Sequence, residues 1–328
     1  MNSISEKRFN QIFNKTEKCR IAVIGDLMID RYVWGRVNRI SPEAPVPVIA
    51  LEGESSNLGG AANVAANVGA LGAEVSLYGL VGDDADARAL RVIVDGNEYN
   101  SEGIITDPSR KTSVKTRVIA QNQHMVRIDR ETIKYVEDDI AEEIVHQFKR
   151  NIDKTDAVIL QDYNKGVLSP YLIRKIIDLC KESDIFVGVD PKHANFWEYH
   201  GVTLFKPNLN ELSLAMGRQL QPGEAFLDLG KQAFKKLEAK YLMVTAGSAG
   251  MTLFSEDGID HIPTQAHSVH DVSGAGDTVI ATIMTALASG ATIQEAAILA
   301  TWAASVVIAE VGAVPVDLDK LRRAVIGR

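Results

Sequence analysis

The chain has little cysteine: two residues in 328, Cys19 and Cys180. Two thiols make neither a disulfide framework nor a metal cluster, so idle thiols in a reducing compartment are expected. No apolar run approaches the ~20 residues of a membrane span. The N-terminal stretch MNSISEKRFNQIFNKTEKCR is polar and carries no apolar leader. No membrane partner is expected, and the cytoplasm is the expected compartment. An excess of positive charge is missing too. The formal net charge is -8, which offers no general affinity for nucleic acid.

Several motifs are absent, and each absence excludes a chemistry. Without G-x-x-x-x-G-K-[ST] the chain is not a P-loop enzyme. The first apolar strand runs into Gly25-Asp26-Leu27-Met28-Ile29-Asp30, not G-x-G-x-x-G, which argues against a nicotinamide dehydrogenase. There is no G-x-S-x-G elbow. The seven histidines show no metal spacing, and His261, His267 and His270 read as surface residues.

What is present is an alternation of apolar runs and helical patterns. RIAVIGD at 20–26 reads as a buried parallel strand. Further strands are expected at 75–80, 157–162, 185–190, 203–208 and 241–247. Residues 4–17 form an amphipathic pattern through Ile4, Phe9, Ile12 and Phe13. Ser169-Pro170 starts a helix, and Thr292 with Glu295 makes a capping box for a long helix to about Ala309. The pattern predicts an α/β fold: a doubly wound, mostly parallel sheet flanked by helices, one domain over 1–328. Two segments, 32–57 and 113–130, break the alternation and read as a small β-sheet lid inserted in it. Ligands of such sheets lie at the carboxyl ends of the strands, which here carry Asp26, Asp162, Asp190, Lys206 and Asn208.

Four segments carry candidate chemistry. In DVSGAGDTVIATIMTALASG (271–290), Gly274, Ala275 and Gly276 precede a helix, so free N–H groups and the helix dipole can hold an anion. Asp277 sits in the first turn, placed to take a proton from an attacking hydroxyl. A plain dipole-complementing aspartate is the bland alternative. In NLGGAANVAANVGALG (57–72), Gly59, Gly60 and Asn63 suit sugar hydroxyls, or only tight helix–sheet packing. In TAGSAG (245–250) the turn suits a nucleotide, or is a plain hairpin. In PNLNE (207–211), Glu211 can order the water shell of Mg²⁺ while also completing a helix cap with Asn208.

Together these segments resemble the ribokinase-like (PfkB) carbohydrate kinases, from about Arg20 to Val316. GGAANVAANVGALG is similar to the family's N-terminal signature and DVSGAGDTVIA to its C-terminal one. Within the family, RISPEAPVPV (39–48), DYNKGVL (162–168), VDPK (189–192) and HIPTQAHSVHDVSGAGDTVI (261–280) resemble heptose 7-phosphate kinases. The resemblance implies ATP and Mg²⁺ as cofactors and a sugar phosphate as acceptor. It implies Asp277 as base with Gly274, Ala275 and Gly276 as anion hole, and Asp30, Gly59, Gly60 and Asn63 on the sugar. It implies Asn208 and Glu211 for Mg²⁺ and phosphate, Thr245, Gly247 and Gly250 for the nucleotide, and a monovalent cation near Asp271 and the Val307–Gly312 turn. A homodimer through the lid strands is implied as well, and a stand-alone kinase, since the sequence ends at Arg328. An existing phosphate on the sugar needs cations, and at least two of Arg127, Lys165 and Lys192 are expected to clamp it. A kinase for another sugar, or a non-catalytic sensor on the same fold, remains the alternative.

Overall fold

The computed structural model describes residues 4–121, 123–265, 270–310 and 312–327. His267 lies outside the described residues; His261 and His270 are exposed. Thirteen strands are present among the described residues: β1 Arg20–Gly25, β2 Leu27–Ile40, β3 Pro47–Gly60, β4 Glu74–Val81, β5 Asn100–Thr106, β6 Ser113–Ala120, β7 Gln123–Arg130, β8 Ala157–Gln161, β9 Phe186–Asp190, β10 Leu204–Phe205, β11 Tyr241–Thr245, β12 Met251–Ser255 and β13 Gly258–Ile262.

Nine of them form one sheet in the order β13-β12-β11-β10-β9-β8-β1-β4-β5. All neighbours are parallel except the terminal hairpin, where β12 runs antiparallel to β11 and to β13. Side chains alternate across the sheet. In β1, Ile21 and Val23 enter one hydrophobic core while Ala22 and Ile24 enter the other. β8 repeats this with Ala157 and Ile159 against Val158 and Leu160. Helices therefore cover both faces, which explains why these strands are apolar without interruption. Helix Glu6–Thr16 turns Phe9, Ile12 and Phe13 onto the first face, and helix Pro170–Glu182 turns Ile173, Ile176 and Cys180 onto the second. Both cysteines are buried and unpaired.

The remaining four strands form a separate sheet, β3-β2-β6-β7. It occupies the two segments that break the alternation, with one difference. β2 begins at Leu27, directly after Asp26, so the second sheet grows from the end of the first without a linker. Other expected boundaries shift. The 203–208 strand is only Leu204–Phe205, and Asn208, which keeps a lone bridge to Thr245, caps the next helix. The helix after Thr292 ends at Val307, and a further helix, Leu318–Ile326, follows it. Strands β5, β12 and β13 were not expected from the sequence; β5 is half polar, and β12–β13 is a hairpin closed by the two-residue turn Glu256-Asp257.

Candidate active site

The carboxyl ends of β1, β8, β9 and β11 converge on the start of helix Ala275–Ala288. Gly274 caps this helix with φ 78°, a left-handed conformation that a side chain would strain. The Ala275 N–H, expected in the anion hole, instead donates to the Val272 carbonyl at 3.3 Å, and the next first-turn N–H groups, from Gly276 and Asp277, have no intrahelical acceptor. A methyl group on Gly276 would lie 3.8 Å from both Asp190 Oδ2 and Lys206 Nζ. Lys206 is buried and paired with Asp190 at 3.1 Å. A helix N-terminus and a buried ammonium thus meet at one point, an arrangement suited to an oligophosphate.

Asp277 is buried beside it. Its Oδ2 accepts from the Asn63 amide at 2.7 Å. Its Oδ1 accepts from the Tyr163 hydroxyl at 2.8 Å and the Gln161 amide at 3.1 Å. Burial pushes the carboxyl up to about 7, and Asp190 adds to this; the bonds from Asn63 and Tyr163 and the charge of Lys206 pull the other way. A carboxyl with this pKa changes protonation near neutrality, as a general base should.

On the small sheet, Asp30 pairs with Arg117 across β2 and β6. Gly59 faces Asp30, and a Cβ there would sit 2.8 Å from Asp30 Oδ2, so only glycine lets β3 approach this carboxylate. Gly60 ends β3, and Asn63 follows one turn into helix Ala61–Ala70. The Arg117 guanidinium lies 5.4 Å from the centre of the Tyr32 ring. The Tyr32 hydroxyl accepts from the Ala313 N–H at 3.1 Å. The neighbouring Gly312 N–H donates to Asp271 Oδ2, and Ser273 N–H to Oδ1. Burial opposes the Asp271 charge, but these bonds outweigh it and hold the carboxyl below its ordinary value.

A cleft of about 310 Å³ opens at the start of the same helix, with Thr245, Gly247, Gly250, Val272, Gly276 and Ile308 on its walls. Its turn joins β11 to β12, so the TAGSAG segment is both a hairpin and a cleft wall. Asn208 bridges to Thr245 and brings the PNLNE segment alongside. The capping box forms: Asn208 accepts from the Glu211 N–H and Glu211 Oε2 from the Asn208 N–H, each at 2.8 Å. Glu211 Oε1 pairs with Lys192. Among the described residues no three acidic, histidine or cysteine groups cluster as metal ligands. One carboxylate with both oxygens engaged suits Mg²⁺ that keeps its water shell rather than a cage of direct ligands.

The expected cations separate into two places. Lys165 pairs with Glu131 at 2.8 Å, Lys115 reaches both Glu131 and Asp129, and Arg127 pairs with Asp129 at 3.0 Å. This chain of three cations and two carboxylates ties β6 and β7 to the loop after β8. Lys192 is not part of it: besides Glu211, it lies 5.5 Å over the Tyr163 ring. Sequence reasoning did not single out Gln161, Tyr163 or Arg117. The signal for the first two was their place at the end of an apolar strand, next to Asp162. For Arg117 it was a cation within the alternating pattern of 113–130.

The pfkB family carbohydrate kinase pattern matches residues 18–320. Curated relatives include the bifunctional protein HldE of Geobacter sulfurreducens, 40% identical over 94% of this chain and 63% of that protein. The HldE of Caulobacter vibrioides is 43% identical over 89% of this chain and 60% of that protein. The chain thus spans less than two thirds of the length of these relatives. Among solved structures, phosphofructokinase-2 of Escherichia coli in complex with potassium superposes with a TM-score of 0.79 at 16% identity, covering 94% of this chain and 97% of that one. Arabidopsis thaliana ribokinase complexed with ribose and ATP superposes with a TM-score of 0.70 at 20% identity, covering 94% and 98%.

Proposed function

The chain belongs to the pfkB family of carbohydrate kinases and is an ATP-dependent sugar kinase, and from this premise we propose that its acceptor is D-glycero-β-D-manno-heptose 7-phosphate. The anomeric hydroxyl oxygen attacks the γ-phosphorus of ATP, the bond to the β-phosphate oxygen breaks, and the hydroxyl proton passes to Asp277. The products are ADP and heptose 1,7-bisphosphate, a precursor for ADP-heptose and lipopolysaccharide core. The observation that carries the kinase chemistry is Asp277, buried and held by three donors beside the cap of helix Ala275–Ala288. The heptose reading is supported by the RISPEAPVPV, DYNKGVL and VDPK segments.

Each of the chain's own groups has a part in this reading. Asp30, Gly59, Gly60 and Asn63 orient the sugar against Asp277. The N–H groups of Gly274 and Gly276, with Lys206, take up charge on the transferring phosphoryl group; such preorganised donors supply most of what phosphoryl transfer needs. Thr245, Gly247 and Gly250 hold the nucleotide. Mg²⁺ neutralises the phosphates when bound, and Glu211 with Asn208 would order its waters. Asp271 and the turn at Gly312 are the proposed monovalent-cation site. Lys165 and Arg127 hold the 7-phosphate, and Lys192, beside Glu211, serves the phosphoryl-transfer side. The small sheet closes as a lid, and two chains pair through it.

A coupled ADP-release assay over a sugar panel tests the substrate. Heptose 7-phosphate should give the highest kcat/KM, well above fructose 6-phosphate and unphosphorylated sugars. A preference for an unphosphorylated hexose would sink the heptose reading and leave the kinase intact.

A further inference from the structure

The two oxygens of Asp277 are not equivalent. Oδ1 accepts two hydrogen bonds, from the Tyr163 hydroxyl and the Gln161 amide, while Oδ2 accepts one, from Asn63. A carboxylate oxygen has two lone pairs in the plane. Oδ1 is therefore saturated and Oδ2 keeps one site open. We propose that Tyr163 and Gln161 are positioning residues that clamp Asp277 by Oδ1 and so dedicate Oδ2 to receiving the proton of the acceptor hydroxyl. The inference rests on Asp277 being the base.

Tyr163 is itself held from three directions. Its hydroxyl ends on Asp277, and the Lys192 ammonium sits over its ring. Its backbone N–H donates to Asp26 Oδ2 at 2.8 Å; the N–H groups of Lys165 and Val167 donate to the same carboxylate at 3.0 and 3.1 Å. Asp26 lies buried at the end of β1, the strand paired with β8, so the loop carrying Tyr163 is pinned to the sheet. Gln161 is the last residue of β8, and its amide N–H also donates to Asp190 Oδ2 at 3.2 Å. Turned the other way, its carbonyl oxygen would face two carboxylates, so repulsion fixes the orientation of the side chain. A base held at one oxygen cannot rotate that oxygen toward the substrate, which is the orientation a near-attack geometry needs.

The groups facing Asp277 define the expected pH effect. Asp190 raises its pKa; Lys206 and the Tyr163 bond lower it. Burial first, and then the charges of Asp277, Asp190 and Asp30, hold the Tyr163 phenol protonated, while the Lys192 ammonium faces the ring. Removing the phenolic hydroxyl takes away a bond to the charged form of the base, so the base becomes weaker as an acid. Tyr163→Phe should lower kcat about tenfold and move the acid limb of kcat/KM upward by about one pH unit, with KM for ATP unchanged. Thermal unfolding and nucleotide binding of the variant confirm that it is folded. A structural role alone would lower the unfolding temperature without moving the limb. Asp277→Asn is measured alongside. If Asp277→Asn is inactive while Tyr163→Phe keeps the wild-type limb and kcat, the clamp is wrong and the base stands. If Asp277→Asn is active, the base and the clamp both fall.

Discussion

Replacing Asp277 by asparagine keeps the side-chain shape and removes the atom that takes the proton. The expected loss in kcat is about 10²–10⁴-fold with ATP and sugar binding nearly kept. A folded variant retaining a tenth of wild-type kcat would refute the assignment. The same substitution has a stability signature. The carboxyl titrates at about 7 in the folded chain against an ordinary value of 3.8. Between these values the folded state holds a proton that the unfolded state has released, so stability falls as pH rises through this window. Asp277→Asn should therefore unfold at a higher temperature than wild type at pH 8, by on the order of a few °C, and lose that advantage near pH 4. Asp277, Asn63 and Glu211 were legible because glycines and caps flanked them. Gln161 and Tyr163 were not, because a polar residue closing an apolar strand announces an edge, and its partner on helix Ala275–Ala288 is 116 residues away. The cations were legible only as charges. For Lys165 the sheet supplies a network, and Lys165→Met should raise KM for heptose 7-phosphate about tenfold while leaving KM for ATP unchanged. An unaltered KM places the phosphate elsewhere.

At the scale of elements, the period of the apolar pattern located most of the large sheet, since buried parallel strands carry unbroken apolar runs. It failed where burial is partial. Helix Ala85–Gly96 fully buries only Asp86, Ala87, Leu90 and Val94, and the polar residues around them hide its period. The small sheet was legible as a break in alternation but not its strand order, in which β2 pairs with β3 on one side and parallel to β6 on the other. Its strands β2 and β6 carry Asp30 and Arg117, so a sugar that engages Asp30 must act on this ion pair. Hydrogen exchange in Ser113–Ala120 and Gln123–Arg130 should slow when the sugar binds, as expected of a lid. Unchanged exchange with sugar demonstrably bound would count against closure.

Across the whole molecule, apolar exposure concentrates on the small sheet. Ile40, Leu51 and Ile128 are 61%, 63% and 56% exposed there. The proposed pairing of two chains would cover these side chains, and we expect Leu51→Lys or Ile128→Lys to convert a dimer to a monomer by light scattering. A wild-type monomer would refute pairing through this face. The large sheet has another consequence, for synthesis rather than for catalysis. β1 is synthesised before both of its neighbours, yet it lies between β4 and β8, and Arg20 meets Asp156 across 136 residues of chain. At roughly 5–20 residues per second, the ribosome needs about 7 to 27 seconds to deliver that partner. Throughout that interval the wholly apolar IAVI run has one edge unpaired, and a nascent chain stalled before Gln161 presents it to whatever chaperone or neighbouring strand arrives first.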